Sequence, residues 1–199
     1  MTAPAHTGGC QCGAVRFAAA RLGRASICHC RMCQKAFGNL CGPLVTAHDL
    51  AWTRGGPRHF QSSNKVRRGF CADCGTPLTY EYEGGVEVAI AAFDRAGEIA
   101  PVIQLATASR LPWFDTLATL PTRSEDEAAK VAGFYASIVS YQHPDRDTAT
   151  RPPASHPGGR HGDPNARPPF RQHPYYYPAL KLIVLACAIY FAARFLGYL

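Results

Sequence analysis

Leu78-Thr79-Tyr80-Glu81-Tyr82-Glu83-Gly84-Gly85-Val86-Glu87-Val88-Ala89-Ile90 holds two short runs in which large apolar residues alternate with polar or small ones, joined by a pair of glycines. Leu78, Tyr80 and Tyr82 alternate with Thr79 and Glu81, and Val86, Val88 and Ile90 alternate with Glu87 and Ala89. A period of two belongs to half-buried strands. Gly84-Gly85 between the runs reads as a tight hairpin turn. Outward from this hairpin, residues 1–124 repeat the pattern: short β-branched or aromatic runs are punctuated by Gly and Pro. Further strands are predicted at 14–19, 44–47 and 66–70, with a helical turn at 32–37, so the expectation is a mainly β fold of short strands.

A different pattern follows. Ser124 with Glu127 three residues on is a capping-box signature. Val131, Phe134, Tyr135 and Ile138 would form the apolar stripe of one amphipathic helix, residues 125–142, packed on the β-domain. Residues 143–174 are rich in Pro, Gly, Arg and His with almost no large aliphatics, which predicts a disordered, flexible linker. Residues 175–199 are strongly apolar, broken only by Lys181 and Arg194. The uncharged run 182–193 would span only about 18 Å as a helix, against about 30 Å for a bilayer core. With both cations reaching opposite interfaces and Tyr175, Tyr176, Tyr177 and Tyr198 as aromatic anchors, the segment has the length of a C-terminal transmembrane helix. The alternative is a membrane-associated helix lying on the surface. Arg160, Arg167 and Arg171 upstream would keep the N-terminal domain cytoplasmic.

Seven of the nine cysteines fall in three clusters: Cys10-x-Cys12, Cys28-x-Cys30-x-x-Cys33 and Cys71-x-x-Cys74. The beginning of the chain lacks the basic and apolar regions of a secretory signal, so reduced thiols and metal ligation are expected ahead of disulfides. Cys10, Cys12, Cys71 and Cys74 can close one tetrahedral zinc site that staples two remote parts of the chain. Gly13 and Gly75, each just after a pair, permit the left-handed backbone of such turns. Cys28, Cys30 and Cys33 offer three corners of a second site. Structural zinc takes four protein ligands, whereas catalytic zinc keeps a position free. Cys41, His29, His48 and His59 are the candidates to close the second shell, and an open corner is the reading adopted. Zinc held by three thiolates is a soft centre suited to a further sulfur ligand. A thiol bound there as thiolate remains a nucleophile for a small carbonyl carbon.

The formal charge of +7 is spread along the chain, with +5 in residues 1–124. Two zinc ions held by seven thiolates would lower that to about +2. A nucleic-acid surface is therefore not expected.

Three motifs resemble the glutathione-dependent formaldehyde-activating enzyme family, also called the centromere-protein-V-like domain. They are Gly8-Gly9-Cys10-Gln11-Cys12-Gly13-Ala14-Val15-Arg16-Phe17, then Cys28-His29-Cys30-Arg31-Met32-Cys33 with Gly38 downstream, then Arg68-Gly69-Phe70-Cys71-Ala72-Asp73-Cys74-Gly75-Thr76-Pro77-Leu78. A weaker likeness runs through Pro112-Trp113-Phe114 and Leu120-Pro121, so that it covers roughly residues 5–124. The resemblance implies an Mss4-like β-rich zinc-binding fold with two zinc ions. Cys10, Cys12, Cys71 and Cys74 would hold the structural ion, and Cys28, Cys30 and Cys33 the catalytic one. It also implies carbon–sulfur lyase chemistry: reversible formation and cleavage of the adduct between glutathione, as cosubstrate, and formaldehyde. Lys65, Arg67 and Arg68 are the cations expected to hold glutathione carboxylates. Where relatives are expected to carry a histidine, this chain has Gln104, which can hydrogen-bond but cannot take up a proton near neutral pH. The alternative function is a non-catalytic zinc scaffold tethered to a membrane.

Overall fold

The computed structural model describes residues 6–151 together with Arg194. Contacts divide the chain into residues 1–159 and 160–199, and the architecture below belongs to the first unit. In chain order its elements are β1 (His6–Gly9), β2 (Arg16–Ala19), β3 (Arg21–Cys28), α1 (Arg31–Phe37), β4 (Gly42–His48), β5 (Ala51–Arg54), β6 (Arg58–Gln61) and β7 (Val66–Phe70). These are followed by β8 (Pro77–Tyr82), β9 (Gly85–Ala89), β10 (Ile103–Leu105) and α2 (Glu125–Ala136).

The strands form two sheets, one ordered β1-β2-β5 and one ordered β10-β3-β4-β9-β8-β7-β6. All pairings are antiparallel except that of β10 with β3. The core joins Val15, Phe17 and Ala19 near the small sheet with Ala25, Val45, Ala47 and Val88 on one face of the large sheet. Phe17 anchors it, fully buried, with its ring edge-on to Phe93 at 5.0 Å and to Trp52 at 6.0 Å. Side chains of a strand alternate between faces. Leu44, Arg68, Tyr80 and Glu87 therefore belong to the opposite face of the large sheet, away from this core.

The hairpin expected over Leu78 to Ile90 is β8–β9. Its turn is Glu83-Gly84 and not Gly84-Gly85, because Gly85 is already paired with Tyr82, while Gly84 takes the left-handed φ of 84°. The helix predicted after Ser124 forms with both capping-box hydrogen bonds, Glu127 N–H to Ser124 Oγ and Ser124 N–H to Glu127 Oε2.

Two expectations are corrected. The helix was expected to run over 125–142 and to dock its apolar stripe on the β-domain. It ends at Ala136, and Phe134, Tyr135 and Ile138 are exposed, Phe134 at 67%. The linker expected from residue 143 does not begin there, because polar rather than apolar groups tie residues 143–151 to the domain. His143 is buried, and its backbone N–H donates to Gln11 O at 2.7 Å. Asp147 accepts from Arg16 Nη2 at 2.7 Å, Thr148 accepts from Arg54, and Arg151 Nη1 donates to Asp73 Oδ2 at 2.6 Å.

The remainder of the expected linker, from 152, and the apolar segment 175–199 lie outside the described residues, apart from Arg194. Among the described residues no helix is long and apolar enough to cross a membrane.

Candidate metal centres and the adjoining cleft

Cys10 and Cys12 sit in the turn between β1 and β2, and Cys71 and Cys74 in the turn between β7 and β8. Each turn is closed by its own backbone: Gly13 N–H donates to Cys10 O and Gly75 N–H to Cys71 O. Gly13 and Gly75 adopt φ of 72° and 76°, as their positions after the cysteine pairs require.

The four sulfurs lie within 4.8 Å of one another. Cys10 and Cys12 are separated by 3.6 Å and Cys12 and Cys71 by 3.9 Å. A tetrahedron with zinc–sulfur bonds of about 2.3 Å has edges of about 3.8 Å, so the donor set fits that ion in chemistry and in size. Burial pushes the Cys12 thiol up to about 11 and raises Cys71 as well. For Cys74 burial also acts upward, but hydrogen bonds from the Thr76 hydroxyl and backbone outweigh it and bring the thiol down to about 7.

Cys28 ends β3, Cys30 caps α1, and Cys33 lies in the helix's first turn. The Cys33 backbone N–H donates to Cys30 Sγ at 3.4 Å. Burial raises the Cys28 thiol and pushes Cys33 up to about 12, against the pull of Arg68. At Cys30 burial is outweighed by backbone and neighbouring sulfur hydrogen bonds, and the thiol is lowered. The three sulfurs also lie within 4.8 Å of one another. Among the described residues, no fourth His, Cys, Asp or Glu joins the group.

Each candidate for the fourth corner is engaged elsewhere or stands apart. His29 is fully buried and bonds through Nε2 to Gln104 Oε1 at 2.9 Å, with its ring edge-on to Phe114 at 4.7 Å. Gln104 thus fixes the His29 ring from β10. His59 Nε2 contacts Glu81 Oε1 at 2.8 Å. Burial, and after it the charge of Cys28, raises the Cys41 thiol, yet Cys41 stays outside the group. His48 pairs in register with Arg21 at the far end of β4 from Gly42, the partner of Cys28.

The three-cysteine group opens onto a cleft of about 290 Å³ on the large sheet's outer face. Of the three cations expected to hold glutathione, only Arg68 lines it. Arg68 is 4% exposed, donates from Nη2 to Cys33 Sγ at 3.3 Å and from Nε to Ser62 Oγ at 3.0 Å, and stacks over the Tyr80 ring at 4.8 Å. Arg67, its neighbour on β7, faces the other way, 58% exposed and paired with Glu81 at 2.7 Å. Arg67 and Lys65 line a separate shallow depression. The cluster of three cations in sequence is split because consecutive strand residues alternate sides. Tyr80 and Glu87 also line the cleft, which the sequence pattern did not reveal: it sets Tyr80 with apolar residues and Glu87 with polar ones, and only their pairing across β8 and β9 puts them on one face.

Residues 5–109 match the model of the family described as glutathione-dependent formaldehyde-activating enzyme. The chain belongs to this family. The match holds both cysteine groups, Arg68, Tyr80 and Glu87, and stops short of the 110–124 segment to which the resemblance had been extended. No curated protein matches the chain. Membership in the formaldehyde-activating family points to glutathione-related activation of formaldehyde, and the two cysteine groups are compatible with metal binding.

Proposed function

We propose that this chain is a zinc-dependent carbon–sulfur lyase that forms and cleaves the S-hydroxymethyl adduct of glutathione and formaldehyde. The observation that carries the reading is the group of three sulfurs opening onto a cleft, with no fourth donor among the described residues. Cys28, Cys30 and Cys33 would hold one zinc ion, and Cys10, Cys12, Cys71 and Cys74 a second, structural one. An ion held by three thiolates supplies a soft site at which an incoming thiol is bound as thiolate.

The chain's own residues do the remaining work. Arg68 lends positive potential to the sulfur-lined end of the cleft, and its burial strengthens that effect by excluding water. Leu44 and Val66 supply apolar wall, which keeps competing water from the carbonyl carbon. Glutathione would enter thiol first, with its carboxylates toward the solvent-exposed rim.

Three measurements test the reading. Metal analysis with thiol titration of the purified chain should give two ions and seven protected thiols. The absorption spectrum of the cobalt-substituted protein should change on adding glutathione, and a constant spectrum would mean a closed, structural shell. Cys30→Ser should abolish glutathione-dependent turnover and leave the domain folded; equal loss of folding would assign the three-cysteine group a structural role.

From its apolar pattern we also infer that the segment 175–199 anchors a cytoplasmic domain to a membrane. Removing it should move the protein from the membrane to the soluble fraction, and a full-length chain that is already soluble would end that inference.

A further inference from the structure

The reaction proposed above moves a proton as well as a bond. Glutathione enters with a thiol proton, and the adduct leaves with a hydroxyl proton. Gln104 cannot carry it, being neutral and bonded to His29. The outer face of the large sheet offers a different group. Register pairs Arg68 of β7 with Tyr80 of β8, and Tyr80 with Glu87 of β9. A cation, a phenol and a carboxyl thus stand side by side across three adjacent strands, and all three line the cleft that holds Cys28, Cys30 and Cys33.

Two carboxyls of this hairpin have opposite fates. Glu81, on the other face of β8, is satisfied by Thr79, His59 and Arg67, and these partners hold its carboxyl below the ordinary value despite burial. Glu87 is half-buried, and its carboxyl makes no hydrogen bond or ion pair within 4 Å among the described residues. Burial raises its carboxyl, opposed only by the more distant charge of Arg24. Its carboxyl is left free to meet a ligand in the cleft. The groups that face it are Arg24 from β3, Thr46 from β4 and Tyr80 from β8, with the three cysteines and Arg68 around the same cleft.

We propose that Glu87 is the catalytic proton carrier of the cleft, a role that rests on the lyase reading above. Register sets Glu87 opposite Thr46, four residues along β4 from Gly42, the partner of Cys28, so in adduct formation the Glu87 carboxylate accepts the thiol proton by way of water in the cleft. The sulfur electron pair then forms the C–S bond to the formaldehyde carbon, the C=O π pair moves to oxygen, and the Glu87 carboxylic acid returns the proton to that oxygen. Cleavage runs the same steps backwards. Atoms and charge balance with glutathione and formaldehyde alone, and one carboxyl serves both directions.

The test uses the zinc-loaded full-length chain. Calorimetry of glutathione binding near neutral pH, in two buffers of different ionisation enthalpy, counts the protons released. The wild type should keep most of the thiol proton, and Glu87→Gln should release close to one proton per thiol bound. S-methylglutathione, which has no thiol proton, should give the same count in both proteins. In turnover, Glu87→Gln should lose about 100-fold or more of kcat in both directions, remain as resistant to urea as the wild type, and lose the acidic limb of the pH profile; Glu87→Asp should restore part of the rate. Equal proton release from the two proteins with binding intact, or wild-type kcat in Glu87→Gln, would overturn the proposal alone. Failure of the wild type to bind glutathione at all would overturn the lyase reading and this proposal together.

Discussion

Arg68 Nη2 lies 3.3 Å from Cys33 Sγ, a guanidinium from the middle of a strand reaching a sulfur in the first turn of a helix. The contact joins the β7–β8 hairpin to α1, and it places the cleft's buried cation against one of the three cleft cysteines. Ser62 and the Tyr80 ring hold the guanidinium from its other sides. A guanidinium fixed in this way orients the Cys33 sulfur and favours its anionic form, which is the form a metal would take.

Replacing Arg68 by Met should therefore weaken metal binding at the three-cysteine group alone. Partners one step removed from a metal typically change its affinity by about 10- to 100-fold. Competition with a chelator should show that loss for one ion, while the ion at Cys10, Cys12, Cys71 and Cys74 is held as before. Arg68→Lys should recover only part of it, because an ammonium cannot satisfy Ser62, the sulfur and the Tyr80 face together.

A second buried cation supports the fold. Arg16, 3% exposed, forks onto Asp94 with Nη1 to Oδ1 at 2.8 Å and Nη2 to Oδ2 at 2.6 Å, and Asp94 also accepts from Thr7. Asp147 meets the same guanidinium but is itself exposed. Asp94→Ala should cost about 3 kcal/mol in urea unfolding, because it removes the buried partner and leaves the buried guanidinium only the exposed Asp147. Asp147→Ala should cost about 1 kcal/mol or less.

The pH dependence of that pair has a definite sign. Burial opposes ionisation of Asp94, but Arg16 and Thr7 outweigh it and hold the carboxyl below its ordinary value. Stability from this source is fully present above the unfolded value of about 3.9 and is lost as pH falls through the lower folded value. Asp94→Asn should flatten the acid limb of the stability profile below about pH 4. An unchanged limb would show that other carboxylates dominate acid unfolding.

The alternation of Leu78 to Ile90 was enough to expect a hairpin, but it sets Tyr80 with the apolar residues and Glu87 with the polar ones, and only the strand pairing brings them to one face. The alternation could not set their register, which hangs on whether the turn is Glu83-Gly84 or one residue later. Cysteine spacing likewise revealed both sulfur groups, because close thiols on a short turn have few geometric options. The role of Arg68 was hidden among Lys65 and Arg67, since proximity in sequence does not tell which strand face a side chain takes. Residues 143–151 escaped for another reason. They carry no apolar periodicity, and what holds them is polar: His143, Asp147, Thr148 and Arg151 each meet partners remote in sequence. Composition predicts whether a segment can bury apolar surface, not whether charges elsewhere await it.

That strap leads to a test at the four-cysteine site. The His143 ring covers Gly13, where a Cβ would collide with it, and Arg151 Nη2 approaches Cys12 Sγ at 3.4 Å. His143→Ala should cost about 1–2 kcal/mol and should speed metal release from Cys10, Cys12, Cys71 and Cys74, with the other three cysteines unaffected. Release measured with a colorimetric chelator separates the two sites by rate. If both sites lose metal together, the strap stabilises the domain generally and not this centre.

Helix α2 shows how local order can form without docking. Ser124 and Glu127 satisfy each other's backbone N–H, and Glu125, Asp126 and Glu127 place negative charge at the helix's positive end. Ser124→Ala should remove about 1 kcal/mol of helix stability, visible as reduced helical circular dichroism with the β-domain's unfolding midpoint unchanged. Phe134→Gln tests the exposed face directly. A residue 67% exposed has little to lose, so the change should stay within about 0.5 kcal/mol. A loss of several times that size would mean that the helix face is covered in solution, and crosslinking or sedimentation would then tell a second copy of the chain from a contact within it.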